Sequence, residues 1–185
     1  MIKITSEMYK KAMSESKRRS EYINHHFEVK HFTGAERDVI GFLGEFAACQ
    51  LLGLDWKDNI RNDYITTDSG DIVINNLIID VKTETLPPSK LKKILNGKIT
   101  DDETYGRRLI SEYQIDLLKE YDLVLFGGFS RDNLNQWYPF GCLDTKHILN
   151  NYEITKTRPD GGIYPVAALP VRTSSLRSIS NLLKK

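Results

Sequence analysis

Apolar positions recur with two distinct periods along the 185-residue chain. In the stretch 33–52, Val39, Ile40, Phe42, Leu43, Phe46, Ala47, Leu51 and Leu52 follow helical spacing. Thr33 with Glu36 three places on reads as a capping box, and Gly53 suits the position just past a helix end. Together they predict a helix over 34–52. In the stretch 69–82 the period drops to two. Two runs rich in Ile and Val flank Asn75-Asn76, which predicts a hairpin with a two-residue turn. The implied register pairs Ile74 with Leu77, Val73 with Ile78, Ile72 with Ile79 and Asp71 with Asp80. Ile72, Ile74, Leu77, Ile79 and Val81 then share an apolar face, while Asp71, Asp80 and Lys82 share the other.

The remaining pattern is less sharp. A helix is expected from 6 to about 27, with Ser6 as N-cap. Residues 54–68 are polar and turn-rich. Pro87-Pro88 ends the second hairpin strand, and 89–108 reads as irregular and basic. An amphipathic helix at 109–119, a buried strand at 122–129, a turn at 131–135 and a returning strand at 136–143 follow. A short helix at 143–149, a loop at 150–162, a strand at 163–169 and a helix at 174–183 complete the reading. This order predicts an α/β (α+β) fold with a mixed sheet between helices. One domain is expected for 1–185: an N-terminal helical segment 1–32, a core 33–129 and C-terminal strands and a helix 130–185. No Gly-rich dinucleotide fingerprint follows the first strand, and no P-loop sequence occurs.

Composition is that of a globular protein, 40% hydrophobic and 28% charged. The net charge of +1 gives no global signal for nucleic acid, so such a partner needs a local basic patch. Two cysteines, Cys49 and Cys142, make no disulfide framework and suit a reducing compartment. No apolar run approaches the roughly 20 residues of a membrane span, and the N-terminus lacks a signal-peptide core. A cytoplasmic protein without a membrane partner is expected.

An acid followed two places later by Lys occurs five times, at Glu15, Glu28, Asp55, Asp80 and Asp144. Only Asp80-Val81-Lys82 lies in a strongly apolar strand opposite another acid. Like charges facing each other across a sheet destabilise it, so Asp71 and Asp80 are easiest to understand around a cation. Glu45 sits in the predicted helix beside Gly41 and Gly44, whose lack of a side chain suggests close approach of another element. Glu45 is either at the solvent edge of the helix or buried and in need of a partner. Three carboxylates form a hard oxygen site that suits Mg²⁺, with Mn²⁺ as substitute. Lys82 could orient or help deprotonate a water, which is the equipment for phosphodiester hydrolysis. His25, His26 and His31 match no common ligand spacing and read as structural or surface residues. Lys17, Arg18 and Arg19 read as a solvated helix face, or as a phosphate contact.

Gly44-Glu45, Gly70-Asp71 and Asp80-Val81-Lys82 resemble the motif of the PD-(D/E)XK nuclease superfamily, over about residues 33–126. Gly70 stands where that motif has proline. The resemblance implies a restriction-endonuclease-like central mixed β-sheet flanked by helices. It implies Asp71, Asp80 and the Val81 carbonyl as Mg²⁺ ligands, Glu45 holding a water ligand or a second metal, and Lys82 positioning the attacking water. Hydrolysis by metal-activated water then leaves a 5′-phosphate. Gln114 and Tyr121 are similar to a Gln and a Tyr that some branches place near the site, and Glu84 continues the same strand face.

The expected partner is DNA, met by Lys90, Lys92, Lys93, Arg107, Arg108 and Gln114, and a homodimer is expected where both strands of a duplex are cut. The alternatives are a catalytically inactive nucleic-acid-binding module of the same fold, and a scaffold domain with incidental carboxylates.

Overall fold

The computed structural model describes residues 1–22, 33–64 and 70–181. The chain opens with a short strand, β1 (Ile2–Lys3), and a helix, α1 (Ser6–Ser20). Thr5, not Ser6, caps α1: its Oγ1 accepts the Met8 amide at 3.1 Å. His25, His26 and His31, and the expected end of this helix, lie outside the described residues. The second helix, α2 (Gly34–Leu51), starts on the expected capping box, with Thr33 and Glu36 bonded reciprocally.

The hairpin follows as β2 (Ile72–Ile74) and β3 (Leu77–Leu86). Asn75 and Asn76 adopt φ of 50° and 63°, the paired left-handed conformation of a tight hairpin turn. The ladder pairs Ile72 with Ile79, Val73 with Ile78 and Ile74 with Leu77, as predicted. It stops there, and Asp71 and Asp80 are not a ladder pair.

The next stretch departs from expectation. Residues 89–108 are not irregular throughout. A helix, α3 (Pro88–Leu95), starts with Pro88 in its first turn, where a missing N–H costs nothing. Leu91 and Ile94 are its buried positions. Arg107–Ser111 is a strand, β4, where a helix was expected, and only Ile115–Leu118 forms a helical turn, α4. The strands β5 (Leu123–Ser130) and β6 (Asn133–Asp144) and the helix α5 (Thr145–Asn151) follow as anticipated, β5 and α5 shifted by one or two residues and β6 longer at both ends. The expected loop at 150–162 contains β7 (Thr155–Thr157), and β8 spans Ile163–Arg172. The expected C-terminal helix is replaced by two 3-10 turns, Thr173–Ser175 and Ile179–Asn181. Between them Arg177 bridges to Cys142, exchanging backbone hydrogen bonds of 2.9 and 3.0 Å, so strand pairing overrides local helix preference.

A five-stranded mixed sheet, β1-β6-β5-β3-β2, holds β3 parallel to β5 and the other neighbours antiparallel. Alternation along β3 and β5 splits their side chains between two cores. Ile79, Val81, Leu125 and Phe129 pack with Leu43, Phe46 and Ala47 of α2. Val124 and Phe126 pack on the opposite face with Ile110, Leu169 and Val171, which belong to an antiparallel sheet, β4-β8-β7. The site strand β3 is thus clamped between a helical layer and a second sheet. Among the described residues no helix is long and apolar enough to cross a membrane.

Candidate functional site

The end of the β2–β3 ladder creates the site. Beyond Ile79, β3 has no β2 neighbour, and its edge groups need other partners. Asp71 supplies them. Its backbone N–H donates to the Ile79 carbonyl at 3.0 Å, and its Oδ2 accepts the Val81 amide at 2.7 Å. A strand residue points its N–H and C=O to the same edge in a parallel ladder, so the Val81 carbonyl faces this edge as well. Gly70 leads the chain in at φ 119°, and a Cβ there would meet Ile78 Cγ2 at 2.3 Å. Proline, fixed near φ −65°, cannot adopt that backbone. The glycine that stands in the motif's proline position therefore has a local physical cause.

Asp80 lies one residue past the ladder, on the face that Lys82 and Glu84 share. It is 4% exposed. Its Oδ1 accepts from Lys82 Nζ at 2.6 Å, while Oδ2 is buried without a hydrogen-bond partner among the described residues. A buried carboxylate oxygen with no donor is costly. Glu45 reaches the same place from α2, where it is half-buried rather than at the solvent edge. Gly44 beside it has no room for a side chain: a Cβ would lie 1.8 Å from Thr83 Oγ1 of β3. Gly41 has nothing within 4 Å and so is not required by packing.

Asp71 and Glu45 both hold their protons more tightly than free carboxyls do. Burial first, then the charges of Glu45 and Asp80, push the Asp71 carboxyl well above its ordinary range. Burial also pushes Glu45 up, offset partly by Arg61 and Arg19. Burial and the nearby Asp80 and Asp71 charges push the Tyr121 hydroxyl up to about 12. Tyr121 therefore borders the acids. Gln114, half-buried, ends a mostly exposed 3-10 turn (Glu112–Gln114), and no hydrogen bond joins it to them among the described residues.

Arg61 and Cys49 complete the surroundings; Arg61 was not singled out in the sequence, and Cys49 only as a cysteine without a disulfide partner. Arg61 Nη2 stands 3.9 Å from Asp71 Oδ1. Cys49, one turn after Glu45, is buried with its thiol pushed up to about 12, by burial and then by the charges of Glu45 and Asp71. Only tertiary contacts reveal Arg61, which lies in a polar run that reads as loop.

The donor set fits a hard divalent cation: three crowded carboxylates, one oxygen without a donor, and a carbonyl on the same edge. As it stands, no three acidic, His or Cys side chains converge closely enough to hold an ion, among the described residues. Lys82 occupies one Asp80 oxygen instead.

The basic residues expected to meet DNA are mostly engaged elsewhere. Lys90 and Lys93 reach Glu103 Oε2 at 2.8 and 2.9 Å, and hold its carboxyl down at about 2. Arg107 bonds the Asp101 carbonyl and Asp102. Arg108 corrects the expectation outright. It is 1% exposed, bonded to Glu84 and the Tyr105 carbonyl, with its guanidinium 5.3 Å from the Phe140 ring centre. It is a structural arginine, because Glu84 of β3 offers it a charge partner under the second sheet. Lys92 is exposed. On α1, Arg18 bonds Glu15 and the carbonyls of Arg61 and Asn62, and Arg19 lies 3.8 Å from Asp38. Both are thus tied into the fold rather than forming a plain solvated face.

Comparison of the chain with family models, with curated proteins and with solved structures returned no match.

Proposed function

We propose that this chain is a Mg²⁺-dependent DNA endonuclease of the PD-(D/E)XK type, acting at Glu45, Asp71, Asp80 and Lys82. One observation carries the reading. A tight hairpin and a close-packed helix bring Glu45, Asp71, Asp80 and Lys82 within electrostatic reach of one another, and buried Asp80 Oδ2 has no donor among the described residues. Such an arrangement is unfavourable in isolation and becomes favourable around a cation.

Asp71, Asp80 and the Val81 carbonyl would hold the ion, with Glu45 supporting a water ligand or a second ion. Bound Mg²⁺, or Mn²⁺ in its place, supplies positive charge against the phosphate and acidifies water. The chain's own part is positioning. Asp80 fixes the Lys82 ammonium at 2.6 Å, on a strand buried on both sides. Lys82 then donates to the attacking water and sets it in line with the scissile bond. The water oxygen bonds phosphorus, the P–O3′ bond breaks, and a proton ends on the 3′-oxygen. The products are a 5′-phosphate and a 3′-hydroxyl. Cleavage of both strands of a duplex would use two copies of the chain.

The Lys82–Asp80 contact also favours a second reading, a binding module of this fold whose acids are neutralised internally. Incubation with plasmid, linear, branched and single-stranded DNA separates the two. Cleavage that needs Mg²⁺ and disappears in Lys82→Ala supports the nuclease. Binding without cleavage in Mg²⁺ and Mn²⁺ supports the module.

A further inference from the structure

Residues 88–100, which directly follow the site strand, hold four lysines and no acid: Lys90, Lys92, Lys93 and Lys98. One carboxylate from beyond that run binds two of them. Glu103 Oε2 accepts from Lys90 Nζ at 2.8 Å and from Lys93 Nζ at 2.9 Å, while Oε1 accepts the Thr100 amide at 3.0 Å. Two ammonium groups and a backbone N–H thus converge on one anion, as they would on a phosphate. The cluster is open to solvent, with Lys93 50% exposed. Lys92 and Lys98 are exposed and make no ion pair among the described residues. Leu86 ends the β3 face that Asp80 and Lys82 share, and Leu91 and Ile94 of α3 pack with it. Six strand residues at about 3.3 Å each set α3 roughly 20 Å from Asp80. Between the two, the outer edge of β3 pairs with no other strand among the described residues.

We propose that α3 and the turn after it dock the phosphate backbone of the DNA duplex, with Glu103 holding one phosphate position in the free protein, an inference that rests on the nuclease reading above. Each strand of a duplex carries a phosphate about every 3.4 Å of axis, so a strand with its scissile phosphate at Lys82 brings another to α3 about six nucleotides away. There a phosphodiester takes the place of Glu103. Its oxygens accept from Lys90, Lys93 and the Thr100 amide, and the Glu103 carboxylate turns to water. Lys92 and Lys98 meet the flanking phosphates. An acidic peptide carries the same sign of charge, but a surface in line with the site along an unpaired strand edge suits a long polymer with regularly spaced anions. Glu103 is thus a placeholder: it keeps the two lysines assembled and must be released before DNA binds there.

The test is binding of the full chain to a DNA duplex across a KCl series, with Ca²⁺ replacing Mg²⁺. Wild type is compared with Glu103→Gln, with the double variant Lys90→Gln and Lys93→Gln, and with all three changes together, each checked for folding by thermal melting. Glu103→Gln should tighten binding about tenfold, the order of one charge-assisted contact. Asp116→Asn, which frees Lys119 from a surface pair on α4, is the control for loss of one negative charge and should change affinity by no more than about twofold. The double lysine variant should lower the salt slope by about two phosphates. In that background Glu103→Gln should have no further effect. A Glu103→Gln gain no larger than that of Asp116→Asn overturns the placeholder, as does a gain that survives loss of both lysines. A gain seen with polyglutamate and not with duplex overturns the assignment to DNA. The nuclease reading fails separately: wild-type protein that shows these binding changes but cuts no DNA in Mg²⁺ or Mn²⁺ keeps the docking surface and loses the endonuclease.

Discussion

Two acid–base pairs share one face of β3, four residues apart, and they behave differently. Glu84 meets Arg108, an arginine 1% exposed that also bonds a carbonyl and stacks over Phe140. Asp80 meets Lys82, which remains 19% exposed and leaves Asp80 Oδ2 without a donor. The first pair clasps the five-stranded sheet to the second sheet. The second has Asp71 and Glu45 within electrostatic reach, so like charge is added to it rather than balanced. A charged pair in a strand is therefore not a site by virtue of charge alone. What separates structure from candidate chemistry is whether the neighbours satisfy the pair or add like charge to it.

The largest expected effect comes from breaking the clasp. Arg108→Met leaves Glu84 beneath the second sheet without its partner. Removing one member of a buried pair costs about 3 kcal/mol here, at the low end of the usual range because Glu84 keeps a third of its side chain exposed. Urea denaturation should show the loss, with Mg²⁺-dependent cleavage retained in whatever fraction stays folded. Retention of wild-type stability would place Arg108 outside the framework. The contrasting change, Lys82→Ala, should lower cleavage by about 10²-fold or more, equivalent to about 2.7 kcal/mol of barrier. In EDTA its melting temperature should fall as well, because Asp80, whose side chain is 6% exposed, loses its charge partner. A folded Lys82→Ala protein with full activity would remove the site from consideration.

The contrast between these pairs was only half legible in the sequence. The hairpin could be read because Asn75-Asn76 accepts two left-handed residues in a row and the apolar period is two on either side. The register then placed Asp80 and Lys82 correctly. It misplaced Asp71, which leaves the ladder to cap Val81 through its side chain, a local satisfaction of a backbone donor that no alternation pattern encodes. Arg108 was misread for a related reason. Two adjacent arginines suggest surface, and only Glu84 arriving from another strand makes one of them a core residue. Pro87-Pro88 ends the strand as read, but Pro88 also starts a helix where an irregular segment was expected. Arg61 lay in a run without period, and its approach to Asp71 is a tertiary contact that no local pattern encodes.

Gly44→Ala probes the other face of β3. The new methyl would collide with Thr83, whose Oγ1 also accepts from Trp137 Nε1 at 3.3 Å. Overpacking of this kind costs about 2 kcal/mol. It should shift α2, and with it Glu45, away from Asp80, while the Glu84–Arg108 clasp on the opposite face is untouched. Calorimetry should show weaker Ca²⁺ binding together with a lowered melting temperature. Unchanged Ca²⁺ affinity in that variant would detach Glu45 from the site. Gly41→Ala, where nothing lies within 4 Å, is the control and should stabilise the helix slightly.

The smallest effect is the most specific to the crowded pair. Asp71 has a folded-state carboxyl raised above its ordinary value of 3.8, by burial and then by Glu45 and Asp80. A group raised in this way binds more protons folded than unfolded. Its contribution to stability is greatest below 3.8 and is lost as pH climbs through the raised value. In EDTA, wild-type protein should therefore lose stability from this group between acid and neutral pH. Asp71→Asn lacks the titration but keeps a side-chain oxygen for the Val81 amide. It should match wild type near pH 4 and exceed it by about 1 kcal/mol at pH 8, the scale of a relieved like-charge contact. Added Mg²⁺ should reverse the order, because the ion binds wild type and not the variant. Melting curves at the two pH values, with and without Mg²⁺, give all four comparisons. A destabilised Asp71→Asn protein in EDTA would mean that the carboxylate is satisfied by Val81 and Arg61 in the manner of Glu84, and that the two pairs on β3 are alike after all.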